Sequence, residues 1–417
     1  MRSSSSAERF RDLLTPRTLP VFLMFFFWGF GTGGLWLVRP LFAYELSESF
    51  LLVALVSAVS AAPRTFTGPL TGYLTDRFGR KWFIILGAVI HITALIGQFL
   101  STTYTSFFLM ELLAGLGIGT WMTASNALMA DYTEVATRGR AVALRQVSSR
   151  TGTLIGPAIA GVIAFSTDLR AVFLFIAACK IAVIFVTLLW VRDSRRAPRP
   201  ASKQTPGVGI LQRLDLAMFR SRAFFALVIA TFSVNLVAGG TGIFRTFFPV
   251  QGANAAGLDE ARVGVLIAVS GILALGAAIP AGIANDRIGR KRTLIFALLA
   301  MSGAVWMMSG LSGFETALLA VLAFGFAEAF GTGTTQVYAM DLAPDNRRGA
   351  FLGVWSLSMI AGQVIGPIVI GSVADNAGFQ SAFITVSVFL IVAGVMVAIF
   401  GVETRRARIR QANEHPP

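Results

Sequence analysis

Apolar residues run along this chain in blocks much longer than one face of a surface helix. The blocks lie near 18–40, 50–75, 82–101, 106–130, 141–165, 170–191, 223–249, 263–284, 293–312, 315–340, 349–373 and 379–402. Stretches of 18 or more mostly apolar residues are long enough to cross a bilayer as helices. The pattern therefore predicts an all-α membrane protein with twelve transmembrane helices. Barrel strands are shorter and alternate apolar with polar residues, which these blocks do not.

Composition agrees. Of 417 residues, 55% are hydrophobic and 13% are charged, where a soluble domain carries about a quarter charged. The net charge of +14 would suggest nucleic acid in a soluble protein. Here most Lys and Arg residues sit in short loops between apolar blocks, so no nucleic-acid partner is expected. If the N-terminus is placed inside, the outer loops keep only Arg170 and Arg262. That bias predicts both termini in the cytoplasm of a cell (inner or plasma) membrane protein. No small-residue cleavage site follows the first block, so it is expected to be a retained helix. The single cysteine, Cys179, leaves the redox compartment open.

The loop 192–222 is basic and rich in Pro and Gly, and reads as a linker. The expected organisation is a cytoplasmic tail over 1–17, a six-helix lobe over 18–192, a linker over 193–222, a second six-helix lobe over 223–403 and a tail over 404–417. The halves repeat. GYLTDRFGRK starts at Gly72 and GIANDRIGRK at Gly282, and the same offset maps Asp131 on Asp341 and Arg138 on Arg348. It also maps Gly156–Pro157 on Gly366–Pro367 and Gly161 on Gly371; Arg39 of the first helix corresponds to Arg245 of the seventh. A parallel repeat of six helices implies a two-lobed transporter with its site near the midplane.

These residues resemble the major facilitator superfamily. The resemblance rests on the loop signature G-x-L-x-D-R-x-G-R-K, present as Gly72, Asp76, Arg77, Gly79, Arg80 and Lys81, and again as Gly282, Asp286, Arg287, Gly289, Arg290 and Lys291. Ala284 replaces the usual Leu in the second copy. The resemblance implies that these loops latch the cytoplasmic side shut, with Asp131/Arg138 and Asp341/Arg348 as companion pairs. Gly152, Gly156, Pro157 and Gly161 in the fifth helix resemble the antiporter signature of the drug–proton branch, with Ala160 in place of one Gly. The small residues also serve ordinary close packing of helices.

Six bases and two acids fall at spanning depth: Arg39, Arg64, Arg145, Arg150, Lys180, Arg245, Glu111 and Glu328. Each costs roughly 2.5–3.5 kcal/mol near the bilayer centre, so they are expected to face a polar cavity or one another. Glu111 stands where the family often carries Arg. An acid whose surroundings alternate between apolar and Arg-rich can carry a proton. Glu111 and Glu328 are therefore the proton-coupling candidates. Arg39, Arg64, Arg150, Lys180 and Arg245 are the substrate-cavity candidates. Their excess of positive charge points to an anionic or zwitterionic small molecule. The expected activity is proton-coupled efflux of an amphipathic small molecule by alternating access. Proton-linked import of an organic anion and lipid or lysolipid transport are the alternatives. No metal site, no cofactor and no enzymatic constellation is expected, nor any P-loop. The resemblance implies a single-chain, monomeric transporter.

Overall fold

A computed structural model describes residues 18–133, 138–191, 221–344 and 348–404. Every regular element in these segments is a helix, and the chain divides into two compact units. The first comprises residues 1–47 and 59–204, the second residues 48–58 and 205–417.

In the first unit the elements are α1 (Leu19–Ser47), α3 (Ala62–Phe78), α4 (Lys81–Leu100), α5 (Tyr104–Tyr132), α6 (Arg138–Ser166) and α7 (Ala171–Trp190). The short α2 (Phe50–Val59) precedes α3. Together α2 and α3 form the one span expected over 50–75. Ser60 and Ala61 interrupt the helix, and Pro63 follows in the first turn of α3, where its missing N–H costs nothing. Most of α2 belongs to the second unit.

The second unit holds α8 (Arg222–Ala238), α9 (Ile243–Asn254), α10 (Glu260–Arg287), α11 (Arg290–Met308), α12 (Phe314–Leu342) and α13 (Arg348–Phe400). The span expected over 223–249 is broken between α8 and α9 at Gly239–Gly242. Conversely, α13 merges two expected spans across Gly378, whose φ of 80° and ψ of 162° are not helical. Among the described residues ten segments are long and apolar enough to cross a membrane, one of them being Phe351–Phe400. The Gly378 break divides that segment into two crossings. Arg138, Arg140, Arg145 and Arg150 make α6 more polar than the other long helices, yet it is 29 residues long. The twelve-helix architecture follows.

Local chemistry explains where helices start. Thr103 and Ser106 form a reciprocal capping box at α5, and Asp259 accepts the Arg262 N–H at α10. Between α1 and α6 the backbones approach through glycine. A Cβ on Gly33 would lie 2.6 Å from the Thr153 carbonyl oxygen, and one on Gly156 would collide with the Phe30 carbonyl. With little hydrophobic drive between helices in lipid, such close backbone packing is what joins them. Aromatic rings fill the rest. Phe42, Phe107 and Phe173 meet edge to face in the first unit, and Phe244 stacks on Phe324 at 4.0 Å in the second.

Candidate functional site

The two signature loops adopt the same geometry. Gly79 has φ 95° and Gly289 has φ 102°, the left-handed region that a side chain disfavours. The turn they allow returns an arginine to the helix just ended. Arg80 donates to the Thr75 carbonyl at 2.7 Å, pairs with Asp76 at 2.6 Å, and reaches Asp131 at 3.0 Å. Arg290 donates to the Asn285 carbonyl at 2.9 Å, pairs with Asp286 at 3.4 Å, and reaches Asp341 at 3.0 Å. Asp131 and Asp341 thus meet signature-loop arginines. The Arg138 side chain lies outside the described residues, and Arg348 is exposed. Arg77 lies over the Phe78 ring, Lys81 donates to the Leu188 carbonyl, and Arg287 is exposed. A Cβ on Gly72 or on Gly282 would meet open space.

The intramembrane charges sort into two buried pairs and a remainder. Arg39 Nε lies 2.6 Å from Glu111 Oε1, with 8% and 0% of the side chains exposed. Arg245 Nη2 lies 2.8 Å from Glu328 Oε1, with 12% and 11% exposed. Each unit therefore carries one arginine from its first span against one glutamate from its fourth. In both pairs the second carboxylate oxygen, Oε2, is buried with no hydrogen-bond partner among the described residues. A carboxylate with one oxygen in an ion pair and the other unbonded has a lone pair ready for a proton.

Arg245 has a second task. Its Nη1 donates to the Ala238 carbonyl, and to that of Gly239 at 3.0 Å. The Ala238 carbonyl is one of those left open where α8 ends, and in a bilayer such groups must be satisfied internally; the Gly239 carbonyl also accepts the Gly242 N–H at 3.0 Å. From α13, Gln363 Oε1 accepts the Gly240 N–H at 3.1 Å, and the Gln363 carbonyl accepts from Thr241 Oγ1 at 3.0 Å. The break is thus a built feature. The run Gly239–Gly240–Thr241–Gly242 was its sequence signal; Gln363, as a neutral residue in an apolar span, gave none.

Lys180 is fully buried. Its Nζ donates to the Trp28 carbonyl at 2.8 Å and contacts Thr32 Oγ1 at 3.5 Å, while lying 4.1 Å from the Trp28 ring centre. Trp28 in turn stacks on Trp121 at 3.7 Å and borders His91. Gly31 leaves room for the ammonium, since a Cβ there would lie 3.1 Å from Nζ. Arg64 is half-buried, with Gly119 against its Cα and its Nε unpartnered among the described residues. Arg150 is exposed on α6. Arg145 donates to Asn126 at 2.7 Å and lies over the Phe25 ring. Gly152, Gly156 and Pro157 face α1, and Gly161 is buried.

No group of three or more metal-ligating side chains occurs among the described residues. Comparison with known proteins places this geometry. The chain is 26% identical to multidrug resistance protein MdtG of Escherichia coli (strain K12 / DH10B) over 370 residues, 87% of this chain and 85% of that protein. It is 24% identical to multidrug resistance protein 1 of Bacillus subtilis (strain 168), over 89% of this chain and 94% of that one. Among solved structures, the nucleoside transporter NupG (D323A mutant) superposes with a TM-score of 0.75 at 16% identity, covering 92% of this chain and 99% of that chain. The D-xylose–proton symporter superposes with a TM-score of 0.72 at 20% identity, covering 94% and 98%. The sequence profile of the Major Facilitator Superfamily matches residues 21–254 and 231–416. This chain belongs to that superfamily of membrane transporters.

Proposed function

We propose that this chain is a proton-driven exporter of amphipathic small molecules, and that its two buried arginine–glutamate pairs carry the coupling. The observation that supports this most is their matched form. Arg39–Glu111 and Arg245–Glu328 each join the first and fourth spans of one repeat, and each leaves one glutamate oxygen unbonded. Protonating that carboxylate removes the charge its arginine faces. Breaking a buried pair costs about 3–5 kcal/mol, so one proton is enough to shift a conformational equilibrium by orders of magnitude. The multidrug-resistance names of the relatives supply the substrate class and the direction.

The bases Arg39, Arg64 and Lys180 outnumber the acid Glu111 in the interior of the first unit. That excess favours an anionic or zwitterionic amphipath over a plain cation. Both termini are placed in the cytoplasm, on the side of the signature loops, because Lys and Arg concentrate there. The working unit is a single chain.

The test uses proteoliposomes with an imposed pH gradient and an anionic or zwitterionic amphipathic dye as probe. Wild type drives the probe uphill against proton flow. Glu328→Gln and Glu111→Gln lose uphill movement and keep exchange at equal pH. Uphill movement that survives both substitutions removes the pairs from the mechanism. Uptake of organic anions along with protons, in place of export, would establish the import reading that the basic interior also suits.

A further inference from the structure

The break in the seventh span is held by the side chains of Arg245, Gln363 and Thr246, whose Oγ1 donates to the Thr241 carbonyl at 3.0 Å, and of these Arg245 is the one paired with an acid. Arg245 holds the carbonyl end through Ala238 and Gly239 while pairing with Glu328. Gln363 holds the amide end. Its Oε1 accepts the Gly240 N–H at 3.1 Å, and its own carbonyl takes the Thr241 hydroxyl at 3.0 Å. Its Nε2 donates to Asn235 Oδ1 at 3.2 Å, and the Asn235 amide donates to the Thr231 carbonyl at 2.9 Å. Gly239 has no side chain because Gln363 occupies that space: a Cβ there would strike its Cγ. Gly362, its neighbour, brings α13 against the Phe232 carbonyl. The glutamine is thus braced from both sides against the last turn of α8.

We propose that Gln363 is a positioning residue for proton coupling: it keeps α8 and α9 in register while the Arg245–Glu328 pair opens, so that the proton moves α9 as a unit. This rests on Glu328 as the proton-carrying group. The physical need is plain. When Glu328 is neutral, Arg245 loses its counter-charge and its hold on the carbonyls loosens. With no second clasp, the break would fray and the free energy of protonation would dissipate in local disorder. With Gln363 in place the glycine run flexes and its hydrogen bonds survive. The sequence offers no second amide for this: at the equivalent position of the first repeat stands Thr153, which packs on Gly33, and α1 runs unbroken over Leu19–Ser47.

The experiment is residue-resolved hydrogen exchange on detergent-purified full chain, followed at 236–246. Five proteins are compared: wild type, Glu328→Gln, Gln363→Leu, the double variant and Gln363→Glu. Each single variant is expected to raise exchange at Gly240 by up to about tenfold, the scale of one hydrogen bond. The double variant is expected to exceed the product of the singles by a further factor of about ten, because either clasp compensates for the other. Gln363→Glu keeps the acceptor for Gly240 and should restore its protection, which also controls for misfolding in Gln363→Leu. Unchanged exchange at Gly240 in Gln363→Leu overturns the proposal. So does a double variant equal to the product of the singles, which would make Gln363 a packing residue alone. Loss of Glu328 from the transport mechanism is read separately, from gradient-driven flux in Glu328→Gln with Gln363 intact.

Discussion

The Lys180 ammonium lies 4.1 Å from the centre of the Trp28 ring and 2.8 Å from the Trp28 carbonyl oxygen, fully buried between α7 and α1. Among the described residues no carboxylate lies within ion-pair distance of it. A cation–π contact and one short hydrogen bond recover part of the desolvation cost of an ammonium. Stability alone does not favour keeping it. The Trp28 carbonyl has another donor in Thr32 Oγ1 at 2.8 Å, so removing the ammonium orphans no acceptor. Lys180→Met fills similar volume. Its melting temperature in detergent is expected to equal or exceed that of wild type, while gradient-driven transport falls about tenfold or more. A variant that loses stability and keeps its transport rate would show that the charge serves folding.

The signature loops make a second prediction. Arg80 spends its guanidinium on three partners: the Thr75 carbonyl, Asp76 and Asp131. Lysine has a compact ammonium and cannot span that fork. Arg80→Lys is expected to destabilise the first unit by about 1.5–3 kcal/mol, the range for charged hydrogen bonds. Arg290→Lys should act alike on the second unit, because Asn285, Asp286 and Asp341 repeat the arrangement. A double-mutant cycle of Arg80→Lys with Asp131→Asn, read by thermal unfolding, should give a coupling of at least about 0.5 kcal/mol. Additive losses would mean that Asp131 and Arg80 act independently.

How far the chain announces all this varies with the kind of signal. Gly79 and Gly289 were legible as turn residues because only glycine takes their positive φ cheaply, and the same letters recur in both halves. Span number was legible because lipid demands long apolar runs. The partners of the buried charges were not. Glu111 is 20 residues before Asp131 and Glu328 is 13 before Asp341, so the repeat does not map one acid on the other, yet each pairs with the equivalent arginine. Two spans expected to be continuous are interrupted, at Ser60–Ala61 and at Gly239–Gly242. Hydropathy averages over such breaks, since the residues around them remain apolar. Lys180 is legible in the sequence only as a charge at spanning depth; its neighbours Trp28 and Thr32 are brought to it by the fold.

A third prediction separates packing from coupling in the fifth-helix motif. Gly156 and Gly152 lie against α1 with room for hydrogen alone: a Cβ on either would collide with the Phe30 or Phe26 carbonyl. Gly156→Ala and Gly33→Ala are therefore expected to push α1 from α6 and cost about 1–3 kcal/mol each, as overpacking does. Their effects should be non-additive, because one displacement relieves both collisions. Thermal unfolding of the two single variants and the double checks this. A stable Gly156→Ala that has lost only its coupling would assign the glycine to transport directly.

The last prediction concerns Asp375, within the second unit. Its Oδ2 accepts the Ser49 hydroxyl at 2.7 Å and the Leu51 N–H at 3.1 Å, and its Oδ1 accepts the Phe50 N–H at 2.7 Å. Those amides open α2, where the helix dipole favours an anion. Phe50 also meets Phe379 at 4.3 Å, and Gly371 lets α13 approach the Phe50 carbonyl. The carboxylate is exposed, so the clasp is open to solvent and to competing salt. Asp375→Asn keeps one acceptor and loses the charge; Ser49→Ala loses one donor and keeps the charge. Both should raise hydrogen exchange over 50–59, with Asp375→Asn the larger by about tenfold, since charged acceptors bind roughly twice as strongly as neutral ones. Equal exchange in the two variants would assign the hold on α2 to the Phe50–Phe379 contact and to close packing at Gly371, with no share for the charge.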